Sequence, residues 1–167
     1  MSADALHVLW ERALQDSAAD EVRWLAVHCL RVGVIEMLRS ARVPRWRDVA
    51  GRLSAGEGDA KVSGLERRTD ATSAIVANSL LMHAFNREDS YRTAAHPGLV
   101  VVPTVLALQR SEDAARLLDA VAVGYAIAGS LTDGLTPRAS EAGWRLAALI
   151  APVTAASVAA VHLGLDD

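Results

Sequence analysis

The sequence predicts an all-α protein, a single compact domain of about six to seven helices over residues 1–167. Alanine, leucine and valine dominate, and aromatic residues make up only 4% of the chain. That composition favours packed helices over a sheet rich in β-branched and aromatic side chains. A chain of 167 residues can bury roughly two thirds of its unfolded surface in one domain.

Two helices are predicted at the start, over residues 5–18 and 19–40. Asp20 and Glu21 suit the positive N-terminal end of the second. Its single cysteine, Cys29, excludes an intrachain disulfide and indicates a reducing compartment. We expect an unreactive buried thiol, because no basic neighbour is evident in the sequence. The stripe predicted to be buried is Val22, Leu25, Ala26, Cys29, Leu30, Gly33, Val34 and Met37.

The next segment is basic, with five arginines between residues 39 and 52 around Trp46. A solvated face or a partner contact is the preferred interpretation, because the whole chain carries a net charge of −3 and does not favour nucleic acid. Residues 54–59 read as a loop that lacks the lysine and hydroxyl of a phosphate-binding loop. The polar stretch 61–70 continues this connector.

A dense polar run lies between two apolar segments in the middle of the chain. A helix is predicted over residues 72–85, and another is predicted to begin at Pro103, because a first-turn proline loses no hydrogen bond. The turn at His96-Pro97-Gly98 closes the run. Such loops, held between helices, often carry functional groups. The run contains His83, Asn86, Arg87, Glu88, Asp89, Ser90, Tyr91, Arg92 and His96.

The last third should form two long apolar helices. Ser111-Glu112-Asp113 is a predicted helix start, residues 132–140 a loop, and residues 144–162 a closing helix bent at Pro152. The longest uncharged run, residues 146–161, is shorter than the roughly 20 residues of a membrane span, so we expect a buried helix and no membrane. The N-terminus lacks the pattern of a signal peptide, so a cytoplasmic location is expected.

Several segments of the chain together carry a resemblance to a known family. In order, they are Gly56 to Gly64, Asn78, residues 83–90, His96-Pro97-Gly98, residues 100–103, residues 124–129 and residues 163–166. This ordered set resembles the N-terminal region of the MmgE/PrpD family, which includes 2-methylcitrate dehydratase and cis-aconitate decarboxylase. The resemblance covers most of the chain and implies the helical domain of that family without its lid domain.

The resemblance also implies a site in which some residues differ from the family pattern. The family has an aspartate at Asn86, a threonine at Ser90 and a histidine at Arg145, whereas His96 is kept. Asparagine cannot take up a proton as aspartate can. Arginine can hold a carboxylate but does not relay protons near neutral pH. The altered positions therefore favour binding over proton transfer.

Dehydration or decarboxylation beside a carboxylate needs a proton-transfer group and cations for the substrate. His96 is the main candidate, because imidazole titrates near neutral pH. The other predicted catalytic residues are Ser90, Glu88 and Asp89, and the predicted substrate-binding residues are Asn86, His83, Arg87, Tyr91, Arg92 and Arg145. No metal is expected, because the spacing matches no tight zinc pattern, and no cofactor is expected.

Two functions remain open from the sequence. The first is a reduced MmgE/PrpD-like enzyme that acts on a small, carboxylated substrate by lyase, isomerase or cyclase chemistry. The second is a non-catalytic subunit or binding module that completes a larger assembly. Because a domain without its lid should expose apolar helix faces, we expect a homodimer or a hetero-oligomer.

Overall fold

The computed structural model describes residues 3–92, 95–109 and 113–165 and confirms the all-α class. Eight helices lie in these ranges. A two-stranded antiparallel hairpin, β1 (Ala60–Lys61) and β2 (Arg68–Thr69), occupies the segment expected to be a polar connector. The helices are α1 (Ala3–Ser17), α2 (Asp20–Ala41), α3 (Pro44–Leu53), α4 (Ala71–His83), α5 (Gly98–Leu108), α6 (Ala114–Leu135), α7 (Arg138–Glu141) and α8 (Leu146–Leu163).

Helix α5 lies at the centre, because it is apolar on all sides and contributes to two core clusters. Val101 and Val105 belong to the core cluster formed mainly with α6 and α8, whereas Val102 and Ala107 belong to the cluster formed with α2, α3 and α4. A helix that is hydrophobic all round must be covered all round. The two halves of the domain are therefore joined across α5.

The predicted start of a helix at Pro103 is wrong, because α5 begins at Gly98 and holds Pro103 in its interior. Proline has no amide hydrogen, so the carbonyl of Leu99, four residues earlier, loses its helical partner. The Ser79 hydroxyl of α4 donates to that carbonyl at 2.7 Å. A side chain from the neighbouring helix thus replaces the missing backbone bond.

Two further boundaries differ from the sequence prediction. The predicted loop at 132–140 is wrong, since α6 continues to Leu135 and residues 138–141 form α7. The last helix begins at Leu146 and continues through Pro152 to Leu163. Asp113 caps α6 by accepting from two backbone amides, while Ser111 and Glu112 lie outside the described residues.

Helix α2 exposes more apolar surface than its sequence pattern predicts. Leu25, expected in the buried stripe, is 54% exposed. The ring of Trp24 is also exposed and stacks on His28. We call the exposed apolar side chains Trp24, Leu25, Val27, Ile35 and Leu38 the α2 surface.

Helices α6 and α8 meet the length and composition of a membrane span. The core helices of proteins that never enter a membrane can meet the same test. Here α6 and α8 pack along each other and against α5. The expected absence of a membrane therefore stays a prediction.

Candidate functional site

The loop between α4 and α5 reverses direction immediately after His83. Asn86 adopts the left-handed conformation, with φ of 52°, and its backbone amide donates to the backbone carbonyl of His83. Asparagine is among the few side chains that tolerate this conformation. Farther along, paired backbone bonds join Tyr91 to Ala95. The loop thus returns Glu88 and Asp89 to the end of α4.

A carboxylate and two imidazoles meet at this corner of the molecule. One oxygen of Glu88, Oε1, contacts Nδ1 of His83 closely and lies 3.3 Å from Nδ1 of His96. The Glu88 side chain is fully buried, while those of His83 and His96 are 48% and 25% exposed. We call these three side chains the imidazole cluster.

Asp89 anchors the cluster to the start of α5. Its carboxylate accepts the Gly98 amide hydrogen at 3.1 and 3.2 Å, and its backbone carbonyl lies 3.0 Å from Nδ1 of His96. Burial raises the pKa of Asp89, and the Gly98 hydrogen bond opposes that shift. A Cβ on Gly98 would lie 2.2 Å from an Asp89 oxygen, so only glycine permits this approach.

The tautomer of His96 follows from its neighbours. A carbonyl oxygen only accepts hydrogen bonds, so the bond to Asp89 requires a proton on Nδ1 of His96. In the neutral ring, Nε2 is then the free base. The arrangement can therefore hold an imidazole in a defined orientation for proton transfer.

A second set of polar groups lies beneath Asp89. The Tyr125 hydroxyl is buried without a hydrogen bond of ordinary geometry in the described structure, and Asp89 and Cys29 are its polar neighbours. Burial raises the pKa of both Tyr125 and Cys29. A raised pKa keeps the Cys29 thiol protonated, as expected for an unreactive cysteine.

The end of the loop is attached to α6 through Asp133. This carboxylate accepts from the Tyr91 hydroxyl and from Nε of Arg92, each at 3.0 Å. The Tyr91 ring lies against Gly129, and the Arg92 guanidinium lies over that ring. Both residues, predicted to bind substrate, therefore hold the loop to the helical body.

Other predicted site residues lie outside the cluster. Asn86, Arg87 and Ser90 are exposed on the loop. Arg145 is exposed immediately before α8, and its side chain makes no hydrogen bond or ion pair with the described residues. The structure thus brings together four of the ten predicted residues, His83, Glu88, Asp89 and His96.

Two polar residues at the site were missed from the sequence. Tyr125 is the one phenol within the buried stretch of α6, which is a signal that could have been used. Asp133 fell in a segment interpreted as loop. Asn78, quoted for the resemblance, is structural: it accepts from the Ser63 amide at 2.8 Å and donates to the Lys61 carbonyl at 3.0 Å.

Within the described ranges, neither a metal-binding group nor one of the cavities coincides with the imidazole cluster. Among those residues, no group of three or more His, Cys, Asp or Glu side chains is arranged to hold a metal ion. Three cavities are lined by other parts of the chain. An apolar groove of about 370 Å³ between α2, α5 and α6 is lined by Leu30, Arg31, Val34, Ile35, Leu106 and Leu117.

Comparison with known proteins gives one match. The model of the MmgE/PrpD N-terminal domain matches residues 12–167. No curated protein and no solved structure matches the chain. Because the matched residues cover nearly all of it, the chain belongs to the MmgE/PrpD family, a family of dehydratase and lyase type.

Proposed function

We propose that this protein is an acid/base enzyme of the dehydratase or lyase type, acting on a small carboxylated substrate, with His96 as the proton-transfer group. The observation that carries the proposal is the orientation of His96. Its Nδ1 is held by the Asp89 carbonyl and faces Glu88, while a quarter of its side chain stays exposed. Nε2 is thereby left to exchange a proton with a substrate.

The carboxylate beside His96 would strengthen this role. An imidazole that takes up a proton becomes a cation, and the buried Glu88 oxygen at 3.3 Å would stabilise it. An oriented base of this kind contributes typically 10² to 10⁴-fold to a rate. The position of His96 thus supports removal of a proton from a carbon next to a carboxylate.

Substrate carboxylates need cationic partners, and Arg87 is our first candidate for that role. It is exposed on the same loop and makes no ion pair with the described residues. Arg92 is occupied by Asp133, so it would have to exchange partners. Asn86 and Ser90 offer further hydrogen bonds, and Arg145 would contribute only if substrate reached it.

The proposal is tested with 2-methylcitrate and cis-aconitate, whose conversion is followed by the gain or loss of the unsaturated acid. His96→Gln should lower turnover by about 100-fold or more, because glutamine cannot transfer the proton. His28→Gln, at an exposed histidine stacked on Trp24, is the matched control and should keep wild-type turnover. Full activity of His96→Gln would eliminate the proposal.

A non-catalytic role is the second candidate, favoured by the α2 surface. Trp24 and Leu25 are 68% and 54% exposed, and an apolar face of this kind marks association. We propose that this surface contacts a second copy or a partner chain. Native mass measurement of wild type and of Leu25→Lys distinguishes the cases: an assembly that dissociates in the variant supports the proposal, and a monomeric wild type contradicts it.

A further inference from the structure

The imidazole cluster contains a second histidine that the proposed function does not use. Oε1 of Glu88 contacts Nδ1 of both His83 and His96. A carboxylate only accepts, so it favours a proton on Nδ1 of each ring. Each neutral ring then carries its free nitrogen, Nε2, on the side away from Glu88.

The two rings are close enough to serve one small molecule. Their centroids lie 5.6 Å apart, and their planes are inclined by 58°. His83 is about half exposed, so it can exchange protons with water, while the more buried His96 is held by the Asp89 carbonyl. The Glu88 carboxylate thus orients two imidazoles, and His83 is more accessible to solvent than His96.

We propose that His83 is a second proton-transfer group acting on the same substrate as His96, and that Glu88 is the positioning residue for both. This inference rests on the proposed acid/base function. In a dehydration, Nε2 of His96 first removes the proton from the carbon beside the carboxylate, and that carboxylate takes up the electrons of the C–H bond as an enolate. These electrons then form the C=C bond as the C–O bond breaks, and protonated His83 gives its proton to the leaving hydroxyl, which departs as water.

The protons balance over one turnover. His96 gains the proton that the carbon loses, and His83 loses the proton that the hydroxyl gains. Water then removes the proton from His96 and restores the one on His83. Glu88 does not change its protonation in these steps, because it holds both rings through Nδ1 while Nε2 reacts.

The assignment separates two measurable events. In D2O with 2-methylcitrate as the probe, removal of the carbon-bound proton is seen as deuterium incorporation, and elimination as formation of the unsaturated acid. His83→Gln should lower elimination by about 100-fold while deuterium incorporation continues. His96→Gln should lose both. The exposed His28→Gln serves as the control for both readouts and should lose neither.

The results that would overturn the proposal are distinct from a failure of the proposed function. Wild-type elimination in His83→Gln, or an equal fall in incorporation and elimination, overturns the role of His83 alone. A wild-type protein that neither exchanges nor eliminates overturns the acid/base function and the inference with it.

The positioning role of Glu88 is tested in the ligand-free protein by ¹⁵N NMR of the imidazole nitrogens. Wild type should carry protons on Nδ1 of both His83 and His96. In Glu88→Leu, His83 should change to the Nε2-protonated form, because it loses its acceptor, whereas His96 should keep its Nδ1 proton through the Asp89 carbonyl. An unchanged His83 spectrum would contradict the positioning role.

Discussion

Two polar clusters involve the same helix, α4, and differ in how their hydrogen bonds are completed. Asn78 is fully buried, and both ends of its amide bond to the backbone of the segment that bears the β hairpin. At the end of the helix, the imidazole cluster is joined by side chains. It leaves two rings partly exposed and Oε2 of Glu88 without a partner in the described structure.

The difference separates a structural polar group from one suited to chemistry. A buried amide with both partners in place fixes two segments together and has no capacity left for a ligand. A buried carboxylate with an unpaired oxygen costs stability, and such a cost is commonly found at functional sites. If this contrast is correct, substitutions at Asn78 and in the imidazole cluster should affect different properties.

Among the variants that contrast these two parts of α4, the largest effect on activity is expected from Glu88→Leu. Loss of the carboxylate should lower turnover of a converted probe by about 100-fold. The free energy of unfolding should change by no more than about 1 kcal/mol, because an apolar group replaces a buried and incompletely paired charge. Urea unfolding and the turnover assay check this together, with the exposed Glu66→Leu as the control. A large loss of stability without loss of activity would reverse the comparison.

Asn78→Ala should show the opposite pattern. It leaves the Ser63 amide and the Lys61 carbonyl without their partner, so the free energy of unfolding should fall by about 2–3 kcal/mol. Turnover per folded molecule should stay at the wild-type level. Asn86→Gly is the matched control for the unfolding measurement, because glycine accepts the left-handed conformation at that exposed position. Equal stability of Asn78→Ala and wild type would contradict a structural role.

Ser79 sharpens the comparison, since it lies on α4 between the two clusters. Ser79→Ala should cost about 1 kcal/mol by leaving the Leu99 carbonyl unpaired. In a Pro103→Ala background the same change should cost less, because the new backbone amide can donate to Leu99. A double-mutant cycle from urea unfolding measures this coupling. Additive effects would show that Ser79 does not compensate for the proline.

The smallest effect is expected at His162, which is buried in α8. Burial, aided by Arg116, lowers its pKa, although the Leu108 carbonyl and Asp113 oppose the shift. The folded state therefore binds this proton less readily than the unfolded state does. The stabilising contribution of neutral His162 to the free energy of unfolding is fully present above about pH 6.5. It is lost as the pH falls toward the lowered pKa.

Urea unfolding at several pH values measures that loss. Between about pH 7.5 and 5.5 the midpoint of wild type should fall more than that of His162→Leu. His7→Gln, at an exposed histidine paired with Glu11, should follow wild type. Parallel curves for wild type and His162→Leu would contradict the effect of burial.

The fold class and the family could be predicted from the sequence, but the interior of α5 could not. The helical spacing of apolar residues is local, so α4 and α6 were recognised within a few residues. Pro103 was misplaced because its compensation comes from Ser79 on another helix, 20 residues before Leu99. A sequence shows the missing amide but not the hydroxyl that replaces it.

The candidate site was predicted in part for the same reason. His83, Glu88, Asp89 and His96 lie within one loop and its flanking helix ends, so proximity in sequence approximates proximity in space. The bond between Tyr91 and Asp133 spans 42 residues and gives no local signal. The sequence also contains no sign that neighbouring predicted residues differ in burial: Glu88 is buried, whereas Ser90 is exposed.

The left-handed turn at Asn86 has a consequence for how this loop can change over time. Aspartate tolerates that backbone conformation about as well as asparagine, and the side chain is exposed, so exchange between the two needs no refolding. A single substitution could therefore give the loop an additional acid while its anchors at Asp89 and Gly98 stay in place. The scaffold and the reactivity of this loop can diversify independently.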